Sequence, residues 1–189
     1  YRCVRDKPAK LKYKLRYVLD SREDFEYLAL LHKRGILPRL YDVDRAAKFY
    51  QIIRYSYASG LDSFGSQPHS MWSDFPMIDL AARRLQKVVV ENKDFERLIR
   101  QYDRPVSFFY CDPPYFATEN YYKDVGFTAK DHIRLRDALL DIKGRFLVSY
   151  NDCPEIREIW HKPNIHIEEI SRLNNLAQRY DGGCQYAEL

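Results

Sequence analysis

The second half of the chain alternates short apolar segments with amphipathic segments of helical period, and this alternation restricts the fold more than any other feature. Apolar segments rich in β-branched and aromatic residues predict strands, and an apolar stripe every three to four residues predicts a helix. The predicted strands are residues 87–91, 106–111, 145–150, 164–170 and 184–189, and the predicted helices are 77–86, 94–102, 128–142 and 154–160. This order predicts βαβ units in an α/β fold, with a mainly parallel sheet whose ligands bind at the carboxyl ends of the strands.

The first half lacks this alternation and is predicted to be mainly helical. A helix is predicted over residues 21–34, with Ser21 as its N-cap and Gly35 in a left-handed conformation after its end. A second helix, over residues 44–55, has a predicted apolar stripe at Ala46, Phe49, Ile52 and Ile53. Residues 56–76 have neither period, and they predict a loop or small ribbon long enough to contact nucleic acid or a protein partner.

Composition and charge exclude several classes of protein. The 189 residues are 46% hydrophobic and 31% charged, which is typical of a globular chain and not of a disordered or collagen-like one. The apolar runs are far shorter than the roughly 18 residues of a membrane span. The four cysteines are scattered without a CxxC pair, so we expect a cytoplasmic protein with no membrane and no metal. The net charge of +4 is compatible with DNA, and the seven basic residues among residues 1–16 fit either phosphate contacts or a solvated helix face.

The residues with the clearest chemistry follow the predicted strand 106–111 directly, and they are Asp112, Pro113, Pro114 and Tyr115. Two prolines fix φ and lack N–H groups, so the carbonyls beside them stay available as acceptors. A carboxylate and a proline carbonyl can accept both N–H groups of a planar exocyclic amine, which favours the pyramidal, nucleophilic nitrogen of the transition state. The Tyr115 ring can stack on a base that has left its duplex. The alternative is a proline-rich turn that only ends the strand.

This tetrapeptide and four other segments, taken in order, resemble the Dam-like D12 class of DNA N6-adenine methyltransferases. Residues 112–115 match the catalytic motif of that class, and residues 146–152 resemble the strand and turn after it. Residues 90–95 resemble the motif in which an Asp-Phe pair contacts the adenosine of S-adenosylmethionine. The other two similar segments are residues 1–8, before the recognition region, and Phe127, Thr128 and His132, which border the cofactor pocket.

The resemblance implies a fold, a cofactor and partners. The implied fold is a partial Rossmann-like class I methyltransferase sheet with a mainly helical target-recognition insertion. The implied partner is double-stranded DNA, with a cognate restriction endonuclease as a second partner. The implied cofactor is S-adenosylmethionine, and the residues implied to bind it are Asp94, Phe95, Asp112 and Phe127.

The resemblance also divides the chain. It implies that residues 1–20 end an N-terminal catalytic part, that residues 21–75 form the target-recognition lobe and that residues 76–189 form the catalytic domain. Residues 54–61 are similar to the loop that enters DNA, although Ser59 stands where the family usually has Asn. The implied DNA contacts are Arg54, Ser56, Tyr57, Ser59 and Gly60, and further candidates are Lys48, Gln51 and His69.

The family's glycine-rich first loop has no counterpart, because none of the seven glycines forms Gly-x-Gly. We therefore expect that an upstream segment is absent and that this chain carries only the adenosine side and the substrate side of a cofactor pocket. Three functions stay open at this point. They are a site-specific adenine-N6 DNA methyltransferase acting on a flipped-out base, a catalytically inactive DNA-binding remnant of a prophage methylase, and a methyltransferase for cytosine N4 or an RNA base.

Overall fold

The chain forms two compact units that divide between Glu91 and Asn92. The computed structural model describes residues 1–117, 126–173 and 185–189, and each unit has an apolar core. This division matches neither boundary of the predicted recognition lobe. Leu11 and Ile78, on either side of that lobe, are buried with Phe25 in one core, so the flanking helices fold with it. The functional assignment of the three segments stays a prediction.

The first unit is helical and its predicted helices are confirmed. Ser21 caps α3 by accepting the N–H of Asp24 at 3.3 Å, and Gly35 after the helix has a φ of 64°. The helices are α1 (Arg2–Asp6), α2 (Pro8–Leu15), α3 (Arg22–Lys33), α4 (Asp42–Tyr55) and α5 (Phe75–Leu85), and the 3-10 turns are Leu37–Arg39, Tyr57–Ser59 and Met71–Asp74.

The predicted apolar stripe of α4 only partly coincides with the side that faces the core. Ile52 is fully buried and Ala46 packs against the core, but the buried residues also include Val43, Ala47, Gln51 and Tyr55, which lie outside the stripe. Ala46, Phe49 and Ile53 line a cavity of about 890 Å³ in the first unit. An apolar stripe therefore identifies this helix correctly but does not distinguish a packed face from the wall of a cavity.

The second unit contains the predicted βαβ arrangement in a small form. Strands β1 and β2 pair in parallel with Cys111 opposite Val148, and β3 and β4 form a separate antiparallel pair. Helix α7 begins with a capping box of Thr128 and Asp131. The elements are α6 (Phe95–Tyr102), β1 (Phe108–Cys111), α7 (Ala129–Leu140), β2 (Arg145–Val148), α8 (Pro154–Trp160), β3 (Ile170–Leu173) and β4 (Gln185–Glu188).

Two of the predicted strands are wrong because pairing requires a neighbour that local sequence does not specify. Residues 87–91 form no strand: the N–H groups of Lys87 and Val88 donate to carbonyls at the end of α5, and Val89 is 76% exposed. In the predicted strand 164–170, residues 164–168 alternate between exposed and half-buried positions as a strand does, but pairing begins only at Ile170, the first residue of β3. The last predicted strand is confirmed as β4, although residue 184 lies outside the described residues.

Within the described residues the strands form two two-stranded sheets, one parallel and one antiparallel, which is less than the mainly parallel sheet of the prediction. Two backbone hydrogen bonds link Tyr150, just after β2, with Leu189, just after β4. Every helix in the described residues is too short or too polar to cross a membrane.

Candidate active site

The register of β1 and β2 places Asp112 beside Ser149. Cys111 and Val148 are the last paired residues, and the N–H of Ser149 continues the ladder by donating to the carbonyl of Cys111 at 3.0 Å. The next side chains therefore meet: Ser149 Oγ donates to Asp112 Oδ1 at 3.0 Å. Asp112 is exposed, so its carboxylate is presented at the carboxyl end of a parallel strand pair, the usual position of a ligand site.

The loop after Asp112 is held by residues that follow β2. Pro113, Pro114 and Tyr115 are half-buried, and the Tyr115 ring lies 6.5 Å from that of Tyr150. The Asn151 side chain accepts the N–H of Phe116 at 3.0 Å and donates to the Phe116 carbonyl at 3.4 Å. The tetrapeptide predicted to be catalytic is thus held against the turn that follows a neighbouring strand.

A row of aromatic rings runs from the predicted cofactor residues toward this loop. The rings of Phe95 and Phe127 lie 5.9 Å apart, and Phe127 packs edge-on against His132 at 4.9 Å. His132 is fully buried, and its Nδ1 lies 2.9 Å from the Tyr150 hydroxyl. Phe116 also packs on His132, at 5.5 Å. The structure therefore brings the segments around residues 95, 115 and 127 together through His132 and Tyr150.

The Asp94 carboxylate already accepts hydrogen bonds from neighbouring groups of the protein. It caps α6, with Oδ1 accepting the N–H groups of Glu96 and Arg97, while Oδ2 accepts from Arg134 at 2.5 Å. The Arg134 guanidinium also lies 4.3 Å from the centre of the Phe95 ring. Arg134 was not predicted from the sequence; its signal is its position one helical turn after the capping box, on the face of α7 that meets α6.

Asp131 is a further carboxyl group near Arg134, and its surroundings change its pKa. Burial raises the pKa of Asp131, but hydrogen bonds from the Thr128 hydroxyl and N–H and the charge of Arg134 together lower it, and the net effect is a pKa below the usual value. Asp131 is therefore ionised at neutral pH. Among the described residues no group of three or more His, Cys, Asp or Glu side chains is arranged to hold a metal ion.

The predicted DNA-contact loop belongs to the first unit and forms a small ribbon. Ser56 bridges Phe64, and the N–H of Tyr57 donates to Ser63 at 2.7 Å. Tyr57, Ser59 and Gly60 are exposed at its tip, and Ser59 has a left-handed φ of 58°. Asn adopts that conformation more readily than Ser, which gives a backbone reason for the family's usual residue at this position.

Two of the predicted DNA contacts are engaged within the protein. Ser56 is 8% exposed, and its hydroxyl donates to the Ile53 carbonyl at 3.0 Å. Arg54 pairs with both carboxylate oxygens of Asp74, at 2.9 and 3.1 Å. His69 Nε2 lies 3.0 Å from Asp74, and its backbone N–H donates to Asp20.

These contacts tie the end of α4 to the segment after the ribbon. Asp74 is buried, and the desolvation of Tyr50 together with the Asp74 charge raises the pKa of Tyr50 to about 12. Gln51 is also buried, at 8% exposed. The assignment of Arg54, Ser56, Gln51 and His69 as DNA contacts stays a prediction. In this structure Arg54, Ser56 and His69 make hydrogen bonds within the first unit, and Gln51 is buried.

A comparison with known families gives one match. The model for the D12 class of N6 adenine-specific DNA methyltransferases matches residues 18–174, which is most of the chain. No match was found among curated proteins. The matched range includes the ribbon, the Asp112 loop and the Ser149 turn, and the resemblance drawn from the motifs is confirmed.

Proposed function

The chain belongs to the D12 class of N6 adenine-specific DNA methyltransferases, and from this premise we propose that it transfers a methyl group from S-adenosylmethionine to a flipped-out adenine in a specific DNA sequence. The observation that carries the proposal is the exposed Asp112 carboxylate at the carboxyl end of β1, held by Ser149. The finer fold expectation, a Rossmann-like class I sheet, is part of the same proposal, with β1 and β2 as its parallel core.

Asp112 and Pro113 bind the adenine amino group in this mechanism. Asp112 Oδ2 has no hydrogen-bond partner among the described residues, so it can accept one N–H of the amine while the Pro113 carbonyl accepts the other. Both acceptors gain strength as the nitrogen becomes pyramidal and positive, so they stabilise the transition state more than the bound base. The Tyr115 ring stacks on the extruded base, which offsets part of the unstacking cost of a few kcal/mol.

Methyl transfer to adenine N6 forms one bond and breaks one bond, and no atom has to be oxidised or reduced by a further reagent. With S-adenosylmethionine bound, the lone pair of adenine N6 would form the new N–C bond, and the S–C bond that breaks would leave its electron pair on sulfur. N6 then carries a positive charge and loses one proton, which the adjacent Asp112 carboxylate can accept and release to solvent. No base has to remove a proton before the attack.

The residues around Phe95 and Phe127 fit the adenosine part of the cofactor. Both rings are half-buried, so each leaves part of its apolar surface for a stacked purine. The N–H of Phe95 is at the first position of α6, where no intrahelical acceptor exists, and it suits a ring nitrogen. S-adenosylmethionine supplies an activated methyl group on a sulfonium centre when bound. Asp94, Phe95, Phe127 and Asp112 thus hold and orient it in our proposal.

DNA recognition is assigned to residues 21–75, with the exposed tip at Tyr57, Ser59 and Gly60 as the contact and Arg54 and Ser56 as its support. Residues 76–189 carry catalysis in the same proposal, and residues 1–20 end the N-terminal catalytic part.

The test incubates the purified full protein with duplex DNA and S-adenosylmethionine. The DNA is then digested to nucleosides, and the methylated nucleosides are identified. The wild type should give N6-methyl-2′-deoxyadenosine, and so should the control variant Asp141→Ala, which removes an exposed carboxylate at the end of α7. Asp112→Ala should give none while it still binds DNA. Transfer by Asp112→Ala contradicts the mechanism, and DNA binding without transfer by the wild type indicates the inactive remnant. A methylated cytosine in the DNA, or transfer to RNA in a parallel reaction, indicates the third function.

A further inference from the structure

We propose that Ser149 and Asn151, the residues on either side of Tyr150 after β2, are positioning residues that hold the catalytic loop in its reacting geometry. They act through Asp112 and Phe116 without touching the base themselves. This inference rests on the proposed function, in which Asp112 binds the adenine amino group, and it adds the two residues on which the placement of that carboxylate depends.

Ser149 fixes which carboxylate oxygen of Asp112 faces the substrate. A serine hydroxyl has a single proton, and Ser149 donates it to Asp112 Oδ1 at 3.0 Å. The Tyr110 hydroxyl, 3.4 Å from Ser149 Oγ, must then be the donor in that pair. The result is a directed chain from Tyr110 through Ser149 to Asp112. It holds Oδ1 and leaves Oδ2 for the amine.

The backbone of Ser149 is held as firmly as its side chain. Its N–H donates to the Cys111 carbonyl at 3.0 Å, which extends the parallel ladder by one residue beyond β1 and β2. A hydroxyl on an extended ladder has little freedom to move. It can therefore orient a carboxylate that is itself exposed.

Asn151 anchors the other end of the loop. Pro113 and Pro114 have no N–H groups, so the first part of the loop cannot be tied by its own backbone donors. Phe116 is tied instead, because the Asn151 amide pairs with both its N–H and its carbonyl, at 3.0 and 3.4 Å. Ala117, the next residue, has a left-handed φ of 65°. A non-glycine residue keeps that conformation only when its surroundings hold it there.

The experiment compares Ser149→Ala, Ser149→Thr and Asn151→Ala in the full protein under single-turnover and steady-state conditions. Loss of orientation slows the chemical step, so Ser149→Ala and Asn151→Ala should lower the single-turnover rate by about 10- to 100-fold, while KM for DNA changes by less than about 3-fold. Ser149→Thr keeps the hydroxyl and should recover most of the rate.

The control is Ser107→Ala, which lies just before β1, at the opposite end of that strand from Asp112. The Ser107 hydroxyl donates to the Tyr102 carbonyl at 2.6 Å, so this variant removes a serine hydrogen bond of the same unit far along the strand from Asp112. It should lower the melting temperature without lowering the single-turnover rate. An equal loss of rate in Ser107→Ala and Ser149→Ala would reduce Ser149 to a general structural role and overturn the inference.

Hydrogen exchange gives a readout that does not need activity. The Phe116 amide should be protected in the wild type, and Asn151→Ala should exchange it at least about 10-fold faster. Unchanged exchange in folded Asn151→Ala, or an unchanged transfer rate in folded Ser149→Ala, overturns the proposal. If the wild type methylates adenine and Asp112→Ala does not, either of these two results rejects only the positioning role. If Asp112→Ala is active, the proposed function fails. The exchange measurement then still decides whether Asn151 holds the loop.

Discussion

Cys111 immediately precedes Asp112 and shows how the strand end separates a buried group from an exposed one. The Cys111 side chain points into the core of the second unit, and burial raises the pKa of its thiol to about 11. The next side chain, Asp112, points to the opposite face and is exposed. The strand pleat therefore keeps a neutral thiol beside an exposed carboxyl group, and the thiol is no candidate nucleophile at neutral pH.

We predict that Cys111 resists alkylation in the folded protein. At about pH 8 iodoacetamide should modify the Cys111 peptide much more slowly in the native protein than in urea, because the thiolate is the reacting form. The pKa of the Cys111 thiol is higher in the folded protein than in the unfolded chain, so the unfolded chain loses the thiol proton first as pH rises. The free energy of unfolding should therefore fall between about pH 9 and about pH 11. Mass spectrometry of the peptide checks the first statement, and equal rates in both states would contradict it.

Asparagine or serine after a strand gives a weak signal when it is considered alone. The sequence identified Asp112 and Tyr115 because the tetrapeptide is unusual, but it did not assign roles to Ser149 and Asn151. Their importance follows from register, since Ser149 lies beside Asp112 only when Cys111 pairs with Val148. Register depends on contacts between distant parts of the chain, and a pattern within one segment does not specify it.

The elements themselves were predictable where their signals are local. The caps at Ser21, Asp94 and Thr128 all bond to N–H groups within three residues, and the helices after them begin as predicted. The strands predicted over residues 87–91 and 164–169 failed because β-propensity does not supply a hydrogen-bonding neighbour. Local chemistry thus predicts helices better than it predicts pairing.

Gly144, the residue before β2, lies so close to backbone carbonyl oxygens that a side chain would not fit there. A Cβ at this position would lie 2.5 Å from the Ser107 carbonyl oxygen and 2.9 Å from that of Arg104. The Ser107 oxygen also accepts the N–H of Arg145 at 2.9 Å, which is the first bond of the parallel pair. Helix α7 ends at Leu140, two residues before the predicted end of the helix at residue 142.

We predict that Gly144→Ala lowers the free energy of unfolding by about 2–3 kcal/mol, since backbone atoms would have to move and the first ladder bond would weaken. Gly60→Ala is the matched control, because its Cβ would meet only the Tyr57 oxygen at 3.4 Å, an ordinary contact, and it should change stability by less than about 0.5 kcal/mol. Urea denaturation measures both. A Gly144→Ala protein as stable as the wild type would show that the approach is not as close as described.

The two compact units carry different parts of the proposed function. The recognition ribbon belongs to Tyr1–Glu91, and the Asp112 loop, the Ser149 turn and the Phe95–Phe127 pair belong to Asn92–Leu189. Changes at the ribbon tip should therefore affect DNA affinity without altering the chemistry at Asp112.

We predict that Tyr57→Ala, which removes a ring that is 42% exposed at the ribbon tip, raises the Kd for duplex DNA by about 10-fold, through loss of an aromatic contact. Tyr27→Ala removes a ring that is 59% exposed on α3 and should change the Kd by less than about 2-fold. Fluorescence anisotropy at a fixed salt concentration measures both values. Equal effects of the two substitutions would remove the ribbon from the DNA interface.

The most direct test of the central claim is a map of methylated bases in a host that has no adenine methylation of its own. Expression of the intact gene should place N6-methyladenine at one sequence motif throughout the host DNA, and Asp141→Ala should give the same map. Asp112→Ala should give no modified adenine at comparable protein levels. Methylated adenines in the presence of Asp112→Ala would show that the carboxylate at the end of β1 does not perform the chemistry proposed for it.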